Sequence, residues 1–160
     1  MIREVSGDIL ESEAPIIVVP VNCKGVMGKG LALQAKQKWP KVFESYKSFC
    51  EGACPSFPNG LEPGGGVFIQ HVPNKYIACL ATKDDWSNPS KLEWVEEGLK
   101  QLVATIKNLN AETNGLFEFG HVALPKVGCG LGGLDWCDVK PIVYRVFENT
   151  PITVDLYTGN

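Results

Sequence analysis

The run Ile16-Ile17-Val18-Val19-Pro20-Val21-Asn22-Cys23-Lys24-Gly25-Val26-Met27-Gly28-Lys29-Gly30-Leu31-Ala32 changes character twice. Its first part is apolar and mostly β-branched without interruption, which predicts a strand covered on both faces. Its middle is polar and glycine-rich, the composition of a tight loop. A helix follows from about Lys29 to Trp39 and stops before Pro40. A buried strand that feeds a glycine loop and then a helix is the unit of a layered α/β sheet. Pro20 has no N–H to give to a ladder, so the strand is expected to end or bulge there.

The pattern recurs along the chain. Val67-Phe68-Ile69 and Tyr76-Ile77-Ala78-Cys79-Leu80-Ala81 read as two strands around the turn-like Pro73-Asn74-Lys75. Val122-Ala123-Leu124 and Ile152 to Tyr157 supply two more, and Ile2 to Val5 a sixth. Between them Leu92, Val95, Leu99, Leu102 and Ile106 form one apolar stripe at helical spacing, and Ser90 followed by Glu93 fits a capping box. Further helices are expected around Val42 to Cys50 and Asp138 to Phe147, with Pro141 near the start of the latter or at a kink. The Pro- and Gly-rich segment Gly52 to Gly66 is read as a long loop that flanks a crevice.

Bulk properties bound the rest. The 160 residues are 44% hydrophobic and 21% charged, which fits one globular domain over residues 1–160. No apolar run approaches the roughly 18 residues that span a bilayer, and Met1-Ile2-Arg3-Glu4 has no apolar signal region. Cys79 in an apolar run and Cys129 between glycines suit thiols in a reducing compartment. A cytoplasmic location is expected, or a nuclear one in a eukaryotic host. Cys50 and Cys54 lack a second ligand pair at zinc spacing, so neither metal nor cofactor is expected. His71 and His121 each border an apolar strand and read as structural. The net charge of −3 is uneven: Lys24, Lys29, Lys36, Lys38, Lys41 and Lys47 face only Glu44 in their segment. Such a segment attracts phosphates or is simply a solvated helix face.

A second glycine loop, Lys126-Val127-Gly128-Cys129-Gly130-Leu131-Gly132-Gly133-Leu134-Asp135-Trp136, also follows a strand and precedes a helix. In an open α/β sheet such loops lie beyond the carboxyl ends of the strands, where backbone amides reach phosphate oxygens. Two of them suit a diphosphate, or a phosphate and a sugar. Neither is a better-known phosphate motif. Gly30 follows Gly28-Lys29 where a triphosphate loop needs Ser or Thr, and Leu33 stands where a dinucleotide fingerprint needs its third glycine. Each loop alone is also ordinary turn chemistry.

Taken together, these segments resemble the macrodomain superfamily. Val5-Ser6-Gly7-Asp8-Ile9-Leu10 is similar to its opening, Asn22 to Ala32 to its first ligand loop, and Gly128 to Trp136 to its second. Thr82-Lys83 at a strand end and the final Val154-Asp155-Leu156-Tyr157-Thr158 extend the likeness end to end. Within the superfamily it is closest to the branch of DarG antitoxins and TARG-type terminal ADP-ribose glycohydrolases. The resemblance implies a three-layer α/β/α fold with a mixed, mostly parallel sheet of about six strands. It implies ADP-ribose, or an ADP-ribosylated macromolecule, as ligand, with single-stranded DNA a candidate partner, no membrane, and a monomer.

It also implies residue roles. Asp8 would take the adenine amino group, with Ile9 beside it; Asp8 as a plain turn cap is the alternative. Gly28, Lys29, Gly30 and Leu31 would line the distal ribose and diphosphate. Val127, Gly128, Cys129, Gly130, Leu131 and Gly132 would wrap the phosphates, and Tyr157 would lie against adenine or in the core. Asn22 would orient the distal ribose and Lys83 would act at its anomeric carbon, as a Schiff-base nucleophile or in proton transfer. Either role needs a lowered lysine pKa, to which Lys75 or Lys126 would contribute. Trp86, three residues after Lys83, is a candidate to face a substrate base. TARG-type enzymes acting on glutamate-linked ADP-ribose carry an Asp where this chain has Gly132, as the DarG-like branch does; Asp135, nearby, reads as a helix cap. The expected activity is hydrolysis of nucleobase-linked ADP-ribose, with thymidine in DNA as the expected site. The rivals are phosphate removal from ADP-ribose 1''-phosphate, non-catalytic reading of ADP-ribose, and binding of a plain mononucleotide.

Overall fold

The sheet places its two glycine loops side by side because the order in which its strands are added reverses between the two parallel strands that feed them. The computed structural model describes residues 1–113 and 120–159. The strands are β1 (Ile2–Val5), β2 (Ile16–Val21), β3 (Val67–Val72), β4 (Lys75–Ala81), β5 (His121–Pro125) and β6 (Thr153–Tyr157). They lie in the order β1-β6-β5-β2-β4-β3, and all pairs are parallel except β3 with β4. The chain leaves β2 towards β4 and later returns on the other side with β5, so the switch point falls between β2 and β5.

Alternation along β2 and β4 divides the core. Ile16, Val18, Ala78 and Leu80 face helices α3 (Leu92–Glu112) and α4 (Trp136–Phe147). Ile17, Val19, Ile77 and Cys79 face α1 (Gly30–Lys38) and α2 (Pro40–Cys50). This is a three-layer α/β/α arrangement, each layer explained by the period of two along the strands. No helix among the described residues is long and apolar enough to cross a membrane. All six cysteines are free thiols.

Several expectations are corrected. β2 does not end at Pro20 but pairs with β4 through Val21. The Val21 carbonyl accepts from the Thr82 N–H, so the nitrogen of Pro20 is turned the other way, towards β5. There the ladder stops at Ile17–Ala123. In that register the next two bonds would come from the nitrogens of residues 125 and 20, and both are prolines. Pro20 and Pro125 thus unzip β2 from β5 at their carboxyl ends.

The capping box is not formed. α3 starts at Leu92 with Lys91 as an N-cap that makes no side-chain bond, one residue after Ser90. Ser90 instead donates its N–H to the Gly132 carbonyl at 2.9 Å. The Gly52–Gly66 segment does not flank the crevice either. It folds back on the end of α2, where Gly60 lies so close to the carbonyls of Phe49 and Cys50 that no side chain fits. α4 begins at Trp136, two residues earlier than expected, because the Asp135 carboxylate accepts from the Cys137 N–H at 2.9 Å.

Candidate functional site

Where β2 and β5 part, a cavity of about 660 Å³ opens. Pro20 and Pro125 lie on its walls, with Asn22, Gly28, Lys29, Gly30 and Leu31 from the first glycine loop. Gly128, Cys129, Gly130, Leu131 and Gly132 of the second, Lys83 from the end of β4, and Tyr157 from the end of β6 complete the expected set. Val26, Thr82, Trp86, Lys126 and Gly159 also line it. Asp8, Ile9 and Val127 do not. Asp8 is exposed and its Oδ1 accepts from the Leu10 N–H at 3.0 Å, which is the turn-cap role. Ile9 and Val127 are buried in the two halves of the core.

The charged side chains on the wall are Lys29, Lys83 and Lys126, and no carboxylate joins them among the described residues. A protein of net charge −3 therefore carries a positive crevice. The backbone adds to it. α1 begins at Gly30 with no side-chain cap, and the N–H groups of Gly30, Leu31 and Ala32 have no protein partner among the described residues. In the second loop Gly130, Leu131 and Gly132 present three consecutive N–H groups in the same condition, an anion-binding nest. The N–H groups of Val127 and Cys129 are used inside the loop, by the carbonyls of Pro125 (2.8 Å) and Lys126 (3.2 Å).

Gly132 has no room for a side chain. A Cβ there would lie 2.5 Å from Ser90 Oγ and closer still to the Gly128 carbonyl oxygen. That carbonyl is fixed by the Leu134 N–H at 2.9 Å. Gly128 itself adopts φ +78°, which a β-carbon would strain.

Asn22 is 7% exposed and organises the first loop. Its Nδ2 donates to the Val26 carbonyl (2.7 Å), and its Oδ1 accepts from the Lys24 N–H (2.9 Å). Nδ2 has one further hydrogen, the group left for a ligand. Tyr46, fully buried on α2, donates its hydroxyl to both the Asn22 carbonyl (2.7 Å) and Oδ1 (2.9 Å). Burial pushes this phenol well above the usual tyrosine range, so it remains a donor. Sequence reading missed Tyr46 because its partner lies 24 residues upstream.

Lys83 is tied to Asn22 through the backbone. The Thr82 N–H reaches the Val21 carbonyl, the Cys23 N–H reaches the Asp84 carbonyl at 2.9 Å, and the Cys23 thiol points to the Lys83 carbonyl at 3.3 Å. Lys83 Nζ donates to the Trp86 carbonyl at 3.3 Å. Partial burial pushes its amine below the ordinary lysine value. Lys126 shares the cavity, whereas Lys75 reaches the Ser12 carbonyl elsewhere.

The remaining expected groups lie apart. Asp135 caps α4, His121 pairs with Asp155 (2.6 Å), and His71 stacks edge-on to Tyr76. The basic segment is not one continuous track. Lys24 pairs with Asp84, Lys38 with Glu11, and Lys36 sits over the Phe43 ring, leaving Lys41 and Lys47 exposed on α2.

Comparison with known proteins places the fold. A family model described as Macro domain matches residues 18–143. A Mycobacterium tuberculosis protein named DNA ADP-ribosyl glycohydrolase is 36% identical over 94% of this chain and 40% of its own length. The chain thus spans about two fifths of that relative. The structure of the macrodomain of Mycobacterium tuberculosis DarG superposes with TM-score 0.85 at 34% identity, covering 98% of this chain and 97% of that one. Thermosipho africanus DarTG, solved in complex with ADP-ribose, superposes with TM-score 0.82 at 28% identity, over 98% of this chain and 41% of that one. The chain belongs to the Macro domain family.

Proposed function

We propose that this chain is an ADP-ribosyl hydrolase that frees ADP-ribose from a nucleobase, with thymidine in single-stranded DNA as the substrate site. The observation that carries the reading is Lys83: a partly desolvated amine on the wall of a cationic, amide-lined cavity, bonded through its own strand end to the Asn22 loop. The two runs of unpartnered N–H groups take the diphosphate. The last Nδ2 hydrogen of Asn22 orients the distal ribose, Tyr157 lies against adenine, and Asp8 offers its other oxygen to the adenine amino group. Lys83 then acts at the anomeric carbon. Either its amine adds to the opened ribose as a Schiff base, or it moves a proton. In both routes the bond from the anomeric carbon to the base breaks, the base keeps the electron pair and gains a proton, and water supplies the hydroxyl. Gly132, which leaves no space for an aspartate, favours a nucleobase over a glutamate as the linked group. The protein acts as an intracellular monomer in this reading.

The test is release of ADP-ribose from a thymidine-modified single strand by wild type and Lys83→Ala. Release that collapses in the variant while ADP-ribose binding persists is the expected result. Binding of ADP-ribose with no release by wild type overturns the hydrolase, and release of phosphate from ADP-ribose 1''-phosphate independent of Lys83 would replace it with a phosphatase.

A further inference from the structure

Five large apolar side chains stand exposed among the described residues, and three of them, Val26, Trp86 and Leu131, are on the wall of this one cavity. Exposed apolar groups gathered at a cleft mark a surface that a partner covers. Two of the three are accounted for by the glycine loops. Val26 sits 3.5 Å from the Cβ position of Gly28, and Leu131 sits 3.6 Å from that of Gly30. Trp86 belongs instead to Lys83, whose Nζ bonds its carbonyl.

The Trp86 loop is held in shape from both sides. Asp85 Oδ1 accepts from the N–H (2.9 Å) and the hydroxyl (2.8 Å) of Ser87, and the Asp85 carbonyl accepts from the Asn88 N–H at 3.1 Å. Asp84 is anchored by the Cys23 N–H and by Lys24. Both carboxylates of the loop are thus occupied. The indole they frame is 59% exposed, and no other ring or cation stacks on it among the described residues. A pre-shaped loop presenting an uncovered indole beside the reacting amine is a stacking surface without its occupant.

We propose that Trp86 is the platform on which the base joined to ADP-ribose stacks, and that it determines specificity for single-stranded nucleic acid. This rests on the hydrolase reading of the same cavity. With the diphosphate on the glycine loops and the anomeric carbon at Lys83, the group bonded to that carbon emerges next to Trp86. A nucleobase offers a π-face whatever its sequence, and such stacks are sequence-tolerant. A base inside a duplex has both faces covered by its neighbours, so an unpaired base is the one that fits. Lys126 on the wall supplies charge for an adjoining phosphate.

The experiment compares wild type, Trp86→Ala and Trp86→Phe in affinity for three probes: free ADP-ribose, a short single strand carrying ADP-ribose on one thymine, and a peptide carrying ADP-ribose on a glutamate. The Lys83→Ala background prevents turnover. Expected is a loss of about 10- to 100-fold for the modified strand in Trp86→Ala, the size of one base–aromatic stack. Free ADP-ribose should bind within about twofold of wild type, and Trp86→Phe should recover most of the loss. Equal affinity of wild type and Trp86→Ala for the strand overturns the platform. So does a parallel loss for free ADP-ribose, which would make Trp86 part of the ADP-ribose wall. So too does an equal loss on a glutamate-linked ADP-ribosylated peptide, which would make the platform indifferent to bases. Because affinity is read, these outcomes stand even if the wild type releases nothing, a result that would sink only the hydrolase.

Discussion

Gly132→Ala tests the nest most directly, because the consequence follows from distances. The added Cβ would fall 2.5 Å from Ser90 Oγ and nearer to the Gly128 carbonyl oxygen, against ordinary contacts of 3.4–4 Å. A hydroxyl can swing away, but a carbonyl fixed by the Leu134 N–H cannot. Held in place, the overlap would cost about 1–3 kcal/mol. A surface loop moves instead, and the movement takes the N–H groups of Gly130, Leu131 and Gly132 out of line. Each hydrogen bond to a charged group contributes about 1.5–3 kcal/mol. Losing one weakens ADP-ribose binding by about 10- to 150-fold, while the melting temperature shifts little. Calorimetric titration of ADP-ribose into wild type, Gly132→Ala and Ser90→Ala/Gly132→Ala measures this. The double variant should bind no better than the single one, since the backbone oxygen remains. Wild-type affinity in Gly132→Ala would refute the nest, and rescue by Ser90→Ala would show that the hydroxyl, not the carbonyl, sets the limit.

Tyr46→Phe removes one hydroxyl from two buried acceptors, so urea unfolding should report a loss of about 1–3 kcal/mol, with about a tenfold fall in turnover as the Asn22 amide loses its brace. Unchanged turnover in a stably folded variant would remove Tyr46 from the positioning of Asn22. The lowered pKa of Lys83 fixes the sign of the pH response: attack needs the unprotonated amine, so kcat/KM should rise with pH, with its midpoint below the ordinary lysine range. A profile that falls over the same range would assign Lys83 the role of proton donor.

What the sequence disclosed depended on whether a signal was local. The buried strand β2 was legible because the double cover of Ile16 to Val19 leaves a continuous apolar run. The glycine loops were legible because their composition is local too. Pro20 was misread because a missing donor matters only on the side it faces, and strand composition does not reveal facing. Ser90 was misread by one position. The same Ser-x-x-Glu pattern serves as a cap or as an anchor for a distant loop, and the bond to Gly132 decides it. Which amides of the second loop stay unpartnered was hidden, since Val127 and Cys129 spend theirs on carbonyls two and three residues back. Tyr46 was hidden for the opposite reason: its partner is far in sequence, and it reads as one more apolar residue on an amphipathic helix.

The location of the site follows from one feature of covalent structure. A gap between neighbouring strands ordinarily closes, because every unpaired N–H gains by finding the carbonyl across from it. Between β2 and β5 the two donors that would close it are the nitrogens of Pro125 and Pro20, and no rotation restores a hydrogen to either. The split is therefore present without any ligand, and it opens at the strand ends from which both glycine loops depart. The freed wall is then lined by Lys29, Lys83 and Lys126 and by amides that the protein leaves unpaired, on a chain whose overall charge would repel an anion. Replacing Pro125 by a residue with an N–H would remove the barrier at its first step, because that donor would meet the Val18 carbonyl directly.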